Sequence, residues 1–376
     1  MVIELVKHSP NALRRYMTDM NVSASALANL TKISQSKINK ALDEVEVFKL
    51  SQLETISKVL FVPTVYLTTD NFIYERNTPE IIEFRNHIDI PEDRYKENAL
   101  VQEFCQVRDN FISILSSLNE EPKAFDLKLS GTNAEEDAQA IIDYFGFYTH
   151  SKKIKNSDDY FNAWRDIVEL MDVVVIDRGR DKFGSDGMCL YFDAVPIIAI
   201  FSSGQSQSRK LFTLVHEIVH LGLGSSVFDG RLLESDNSLE KYCDQVTGYV
   251  LAPKNIVADC FNENLTIEEN VILIRKQTKA SKAAIAIQLK ILGLINQDQL
   301  ADYLDYIKPK ENGGGFGSKK ENMVLKYFGY NFVEKVMSAM WQERISSNTA
   351  KNILGFHKTS KPSAFKELQQ KGQSKT

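Results

Sequence analysis

Eleven residues constrain this chain more than any others: Leu211-Phe212-Thr213-Leu214-Val215-His216-Glu217-Ile218-Val219-His220-Leu221. They contain His-Glu-x-x-His, and nothing in them breaks a helix. On a helix, positions i and i+4 stack on one face, so His216 and His220 can meet one metal ion. Glu217 is turned about a quarter of the way round. It is poorly placed to bind the same ion but can reach a water on it, and a zinc-bound water surrenders its proton near neutral pH. Phe212, Val215, Ile218 and Val219 supply apolar stripes that would bury such a helix. The competing explanation is a surface helix with two incidental histidines. The other histidines, His8, His87, His150 and His357, lie in distant segments.

A catalytic zinc site takes three protein ligands and leaves a fourth position for water. The segment from Ser238 to Pro253 reads as the next helix, capped by Ser238 and stopped by Pro253, with Leu239, Val246 and Val250 on its apolar side. Glu240 falls in its first turn, and Asp244 falls one turn later on the same face. That pair suits a third ligand, Glu240, and an outer acceptor for a histidine N–H, Asp244. The alternatives are an exposed acidic face, or ligands from Glu234 and Asp236 in the preceding loop. The four cysteines, Cys105, Cys189, Cys243 and Cys260, form no CxxC, which argues against a thiolate zinc site and a disulfide scaffold.

The rest of the chain frames this motif. A length of 376 residues suggests two or three domains, and no repeat of fixed period stands out. The first 75 residues read as short helices: one carrying Leu13, Tyr16 and Met17, then Ala24–Leu30, Gln35–Leu42 after Ser34, and a fourth through Leu50–Leu60. Residues 76–125 read as a helical connector, followed by helices near 133–145 and 158–171. Three apolar runs, Val173–Ile176, Met188–Phe192 and Pro196–Ile200, predict a small antiparallel sheet. Residues 262–306 are helical, 312–317 are a Gly-rich linker, and 321–342 and 346–354 are the last helices expected. From Ser318 onward 11 Lys and Arg face 4 Asp and Glu, although the whole chain is at −5. A basic tail of this kind touches nucleic acid or an acidic partner, or serves solubility alone. No run reaches the ~20 apolar residues of a membrane span, and no secretory signal is evident. A cytoplasmic protein is the expectation.

The quoted segments, FTLVHEIVHLGLG followed by ExxCDQVTGYVLAP, resemble the ImmA/IrrE-type zinc metallopeptidases, whose pattern is roughly FTxAHExxH and then ExxANxFAxxLLMP. PIIAIF and FNAWRDIVELMDVVVI agree with it, and the resemblance covers about residues 77–260. It implies a zincin-like minimal peptidase domain, with His216, His220 and Glu240 as zinc ligands and Glu217 as the catalytic base. The chain departs from the pattern at Cys243-Asp244, at Val246-Thr247, and at Phe201-Ser202, where an asparagine usually ends the strand. The first 75 residues resemble a Cro/C1-type (XRE) helix-turn-helix. That resemblance implies DNA contacts from Gln35, Ser36, Lys37, Asn39 and Lys40. The usual turn glycine is replaced by Lys32. Residues 1–73 hold 8 basic and 7 acidic side chains, so a protein-docking role competes with DNA binding. Residues 262–306 resemble the winged-helix-like segment that follows the peptidase.

Together these features predict an α+β, predominantly helical chain. Its parts are a helix-turn-helix over 1–75, a connector over 76–125, a zincin-like metallopeptidase over 126–260, a winged-helix-like segment over 261–308, and a Gly-rich linker with a basic helical unit over 309–376. The resemblance implies a zinc endopeptidase that uses Glu-activated, zinc-bound water. Its implied substrate is a repressor or antitoxin-like regulatory protein, with DNA as a further partner of the N-terminal domain. The rival is a non-catalytic transcriptional regulator that binds DNA or protein and whose metal site is structural or vestigial.

Overall fold

The structure is a computed structural model that describes residues 4–76, 78–79, 91–148, 160–179, 186–202, 205–228, 237–307, 320–356 and 362–373. The chain divides into two units, residues 1–78 with 85–109, and residues 79–84 with 110–376. Helix α5 (Pro91–Ser117) carries residues of both. Among the described residues no helix is long and apolar enough to cross a membrane.

The first unit is built from α1 (Pro10–Asp19), α2 (Ala24–Thr31), α3 (Gln35–Ala41), α4 (Leu50–Val59) and a 3₁₀ turn at Thr64–Leu67. Ser9 caps α1 by accepting from Ala12 N, and Pro10 occupies the first turn, where a missing N–H costs nothing. Leu13, Tyr16, Leu53 and Ile56, expected on buried faces from their helical spacing, are fully buried with Leu27, Ile38 and Phe48, whereas Leu50 is exposed.

The second unit holds the sheet. Its strands are β1 (Val174–Arg178), β2 (Gly187–Leu190), β3 (Ile197–Phe201) and β4 (Val227–Phe228), in the order β1-β3-β2-β4. The expected antiparallel sheet is corrected here: β2 pairs antiparallel with β3 and with β4, but β1 lies parallel to β3. Apolar runs report burial, not neighbours. Strand β3 is buried along its whole length and takes the centre, while the unexpected β4 occupies the far edge of β2. The remaining place for β1 is the other edge of β3.

Against β2 and β3 packs α8 (Gln207–Gly222), capped by Ser206 and buried from Lys210 to Gly222 except at Phe212. Helix α9 (Asn237–Leu251) crosses it and also packs on α6 (Ala134–Phe145). Helix α7 (Tyr160–Glu169) completes this layer, with Trp164 fully buried against Phe147. Helices α10 (Lys254–Cys260), α11 (Ile267–Thr278), α12 (Lys282–Ile291) and α13 (Gln297–Tyr306) follow. The chain ends in α14 (Lys320–Trp341), α15 (Ser347–Ile353) and α16 (Pro362–Gln373), the last not foreseen from the sequence.

One local device occurs twice. In Thr31-Lys32-Ile33-Ser34, Thr31 Oγ1 donates back to Leu27 O, Lys32 is left-handed at φ 60, and Ser34 precedes α3. In Thr278-Lys279-Ala280-Ser281, Thr278 Oγ1 donates to Ile274 O, Lys279 has φ 58, and Ser281 caps α12. Lys32 thus adopts the backbone that glycine usually supplies, and the tight turn forms without it. The two second helices differ in use. Ala284 and Ala286 of α12 are buried and α12 packs on α9, whereas their counterparts on α3 are Lys37 and Asn39.

Candidate metal centre

Helix α8 carries His216 and His220 one turn apart, and α9 brings Glu240 against them. His216 Nε2 lies 3.1 Å from Glu240 Oε2 and 3.1 Å from His220 Nε2, and His220 Nε2 lies 3.5 Å from Glu240 Oε1. These three side chains are a group that could hold a metal ion. Donors about 2.0–2.1 Å from a tetrahedral zinc stand roughly 3.3 Å from one another, so the spacing fits. Both histidines are buried, while the Glu240 side chain is 39% exposed and marks the open side.

The tautomers fit as well. Asp244 Oδ1 lies 3.1 Å from His216 Nδ1, which favours the ring proton there and leaves the Nε2 lone pair facing the cluster. Behind His220, Cys243 Sγ lies 3.8 Å from Nδ1. Two of the departures from the family pattern, Cys243 and Asp244, therefore stand directly behind the two imidazoles. Burial pushes the His220 pKa down to about 4, helped by the neighbouring His216 and opposed by Glu240 and Asp244. A buried pair of imidazoles, of which His220 is held neutral, with a carboxylate beside it is the donor set a divalent metal needs.

Helix α9 is held from the other side. Tyr242 Oη donates to Asp137 Oδ2 at 2.6 Å, and Asp137 also accepts from Ser130 N and Gly131 N. Burial alone would raise the Asp137 pKa, but these donors bring it below the usual carboxylate range. The Tyr242 hydroxyl is thereby committed to α6. Tyr249 lines a separate cavity of about 360 Å³ with Glu135, Pro253 and Lys254.

Glu217 is fully buried, under the first residue of β2, Gly187. The front of α8 is tied to the sheet by two ion pairs. Lys210 Nζ reaches Asp177 Oδ2 at 2.9 Å, with both side chains buried and Ser202 Oγ donating to the same carboxylate. Ser202, the residue standing where the family pattern has asparagine, thus serves the end of β3. Asp186 takes Arg209 through Nε (3.2 Å) and Nη2, and Gln205 Nε2 at 2.7 Å. The Arg209 guanidinium lies 5.7 Å above the Phe212 ring, which stacks 6.2 Å from His216. None of Gly187, Asp177 or Asp186 announces itself in the sequence; each acts only through folding back onto α8.

In the first unit Gln35, Ser36, Asn39 and Lys40 are exposed along α3, and Lys40 pairs with Glu44 at 3.3 Å. Lys37 differs from the expectation that it points outward: it is half-buried, and its ammonium donates to Gln52 Oε1 at 2.7 Å. His8 is buried and spends its Nε2 on Ala41 O, so it belongs to this unit's core. Glu234, Asp236, His87, His150 and His357 lie outside the described residues.

Comparison with known proteins agrees with this geometry. Residues 168–290 match the Peptidase_M78 family model, the IrrE N-terminal-like domain. That stretch starts in α7, takes in the sheet, α8 and α9, and ends in α12. No curated protein and no solved structure matches the chain significantly.

Proposed function

We propose that the chain is a zinc endopeptidase of the metallopeptidase type that residues 168–290 match. The observation that carries the reading is the convergence of His216 Nε2, His220 Nε2 and the Glu240 carboxylate within 3.1–3.5 Å, next to Glu217 on the same helix. A bound zinc ion supplies a Lewis acid for the scissile carbonyl and the attacking water. Glu217 takes the proton of that water at a carboxylate oxygen and passes it to the leaving amide nitrogen. Asp244 keeps the His216 proton on Nδ1, and Arg209 and Lys210 hold α8 to the sheet. The substrate class this reading favours is a repressor or antitoxin-like regulatory protein.

The test pairs metal content with cleavage. Zinc is measured in the purified chain, and the protein encoded beside it is offered as substrate. Glu217→Gln keeps the shape and the zinc but loses roughly 10²–10⁴ in rate. Full activity in that variant removes Glu217 from the mechanism.

A second reading draws on α3. Its exposed Gln35, Ser36, Asn39 and Lys40 suit phosphates and base edges, and the first unit works in this reading as a DNA-binding module. It stands with a catalytic second unit or without one.

A further inference from the structure

Strand β2 begins at Gly187, and its backbone there is fixed from two directions. Gly187 pairs with Ile200 of β3, and the neighbouring Asp186 O accepts from Phe201 N at 2.9 Å. The Asp186 carboxylate meanwhile holds Gln205 and Arg209 at the entry of α8. The strand start therefore cannot drift away from the helix. Facing it, α8 presents Thr213 and Glu217, one turn apart.

A Cβ added at Gly187 would lie 2.6 Å from Thr213 Cγ2, 3.0 Å from Glu217 Cδ, and closer still to Glu217 Oε1. Ordinary carbon contacts are about 3.5–4.0 Å. The φ of Gly187 lies outside the left-handed region. Glycine is thus needed here for space and not for backbone freedom. Glu217 is fully buried, so its carboxylate has no solvent to retreat into. None of the three nearest atoms belongs to His216, His220 or Glu240.

We propose that Gly187 is a positioning residue, and that the side chain it lacks leaves the seat in which the Glu217 carboxylate is held. The proposal rests on the reading of Glu217 as the base. An alanine at 187 drives the carboxylate back by roughly 1 Å, and a misplacement of that size costs on the order of 10²-fold in rate. The metal donors stay where they are.

The experiment uses the zinc-loaded full chain, with Gly187→Ala tested alone and in a Glu217→Asp background, whose shorter side chain withdraws from the seat. The probe is a proteome-derived peptide library read by mass spectrometry, followed by kcat and KM on the best-cleaved peptide. Zinc affinity is measured by competition with a chromophoric chelator. Gly187→Ala is expected to lower kcat about 100-fold, leave KM unchanged, and keep zinc affinity within about threefold. In the Glu217→Asp background the same change costs less than about threefold more. The proposal is overturned if Gly187→Ala keeps wild-type kcat, loses zinc together with activity, or is equally damaging in both backgrounds. If the wild-type chain cleaves no peptide, the peptidase reading is what fails. Melting temperatures then decide the seat. Gly187→Ala lowers the midpoint in the wild type but not in Glu217→Ala/Thr213→Ser, and equal losses in both overturn it.

Discussion

Replacing Gly329 with alanine tests how helix α14 is locked to the rest of the second unit. At Gly329 the helix breaks, with φ 79 and ψ 172. The break seats a buried ion pair: Arg165 Nε donates to Glu169 Oε1 at 2.6 Å, with both side chains under 5% exposed. Arg165 also donates to Lys326 O at 2.6 Å, to Tyr327 O at 3.2 Å and to Val175 O, and Asn331 Nδ2 reaches Glu169 O at 2.8 Å. Burial lifts the Glu169 pKa to about 7 against the pull of Arg165, so this carboxylate tolerates no loss of partners. A Cβ at 329 would overlap both Glu169 carboxylate oxygens. Forcing an L-residue into the left-handed region costs about 1 kcal/mol or more, and breaking a buried ion pair costs about 3–5 kcal/mol. Gly329→Ala is therefore expected to destabilise by about 4–6 kcal/mol. Gly355→Ala is the control: its φ is +69 but its Cβ would meet nothing within 4 Å, so only the backbone part, about 1 kcal/mol, applies. The two tryptophans, Trp164 and Trp341, both lie in the second unit, so urea unfolding followed by their fluorescence reports on it alone. If Gly329→Ala falls within about 1 kcal/mol of Gly355→Ala, the lock does not carry the energy assigned to it.

Three further outcomes are expected. Glu240→Ala should lose zinc outright, whereas Asp244→Ala, which removes the carboxylate 3.1 Å from His216 Nδ1, should lose about 10–100-fold in affinity; chelator competition on both variants decides, and the reverse order exchanges their roles. In the metal-free protein His220 prefers to be neutral, so the folded state binds its proton only near pH 4 while the unfolded chain binds it near 6.5. Its contribution is present above pH 6.5 and is lost as pH falls towards 4, by up to about 1.4 kcal/mol per unit. Melting curves of wild type and His220→Gln should therefore diverge less at pH 5 than at pH 7, and parallel curves contradict the assignment. If α3 reads DNA, Asn39→Ala should weaken operator binding across salt concentrations and Lys40→Ala should also flatten the salt dependence, measured by anisotropy; binding unchanged in both points to a protein partner.

The metal cluster was legible in the sequence because it rests on helical spacing. His216 and His220 are i and i+4, and Glu240 and Asp244 repeat that interval on the next helix, so a local rule put each pair on one face, but it left Glu234 and Asp236 as alternatives, and Glu240 meets the histidines only because α9 packs on α8. The short helices of the first unit were legible for the same reason, down to Ser34 before α3, whereas the Ser9 cap of α1 was not read from the sequence. What stayed hidden depends on residues far apart in the chain. The place of β1 on the free edge of β3 follows from β4 closing the far edge of β2, and apolar runs record neither that place nor the parallel direction. Lys37 reads as an outward lysine until Gln52 arrives beside it. Gly187 and Gly329 read as ordinary glycines until Glu217 and Glu169 approach them from other elements. Residue type and helical period are written along the chain, and they settle which side chains can do chemistry. How closely those side chains are held depends on the space left between packed elements, which folding creates and no local pattern encodes.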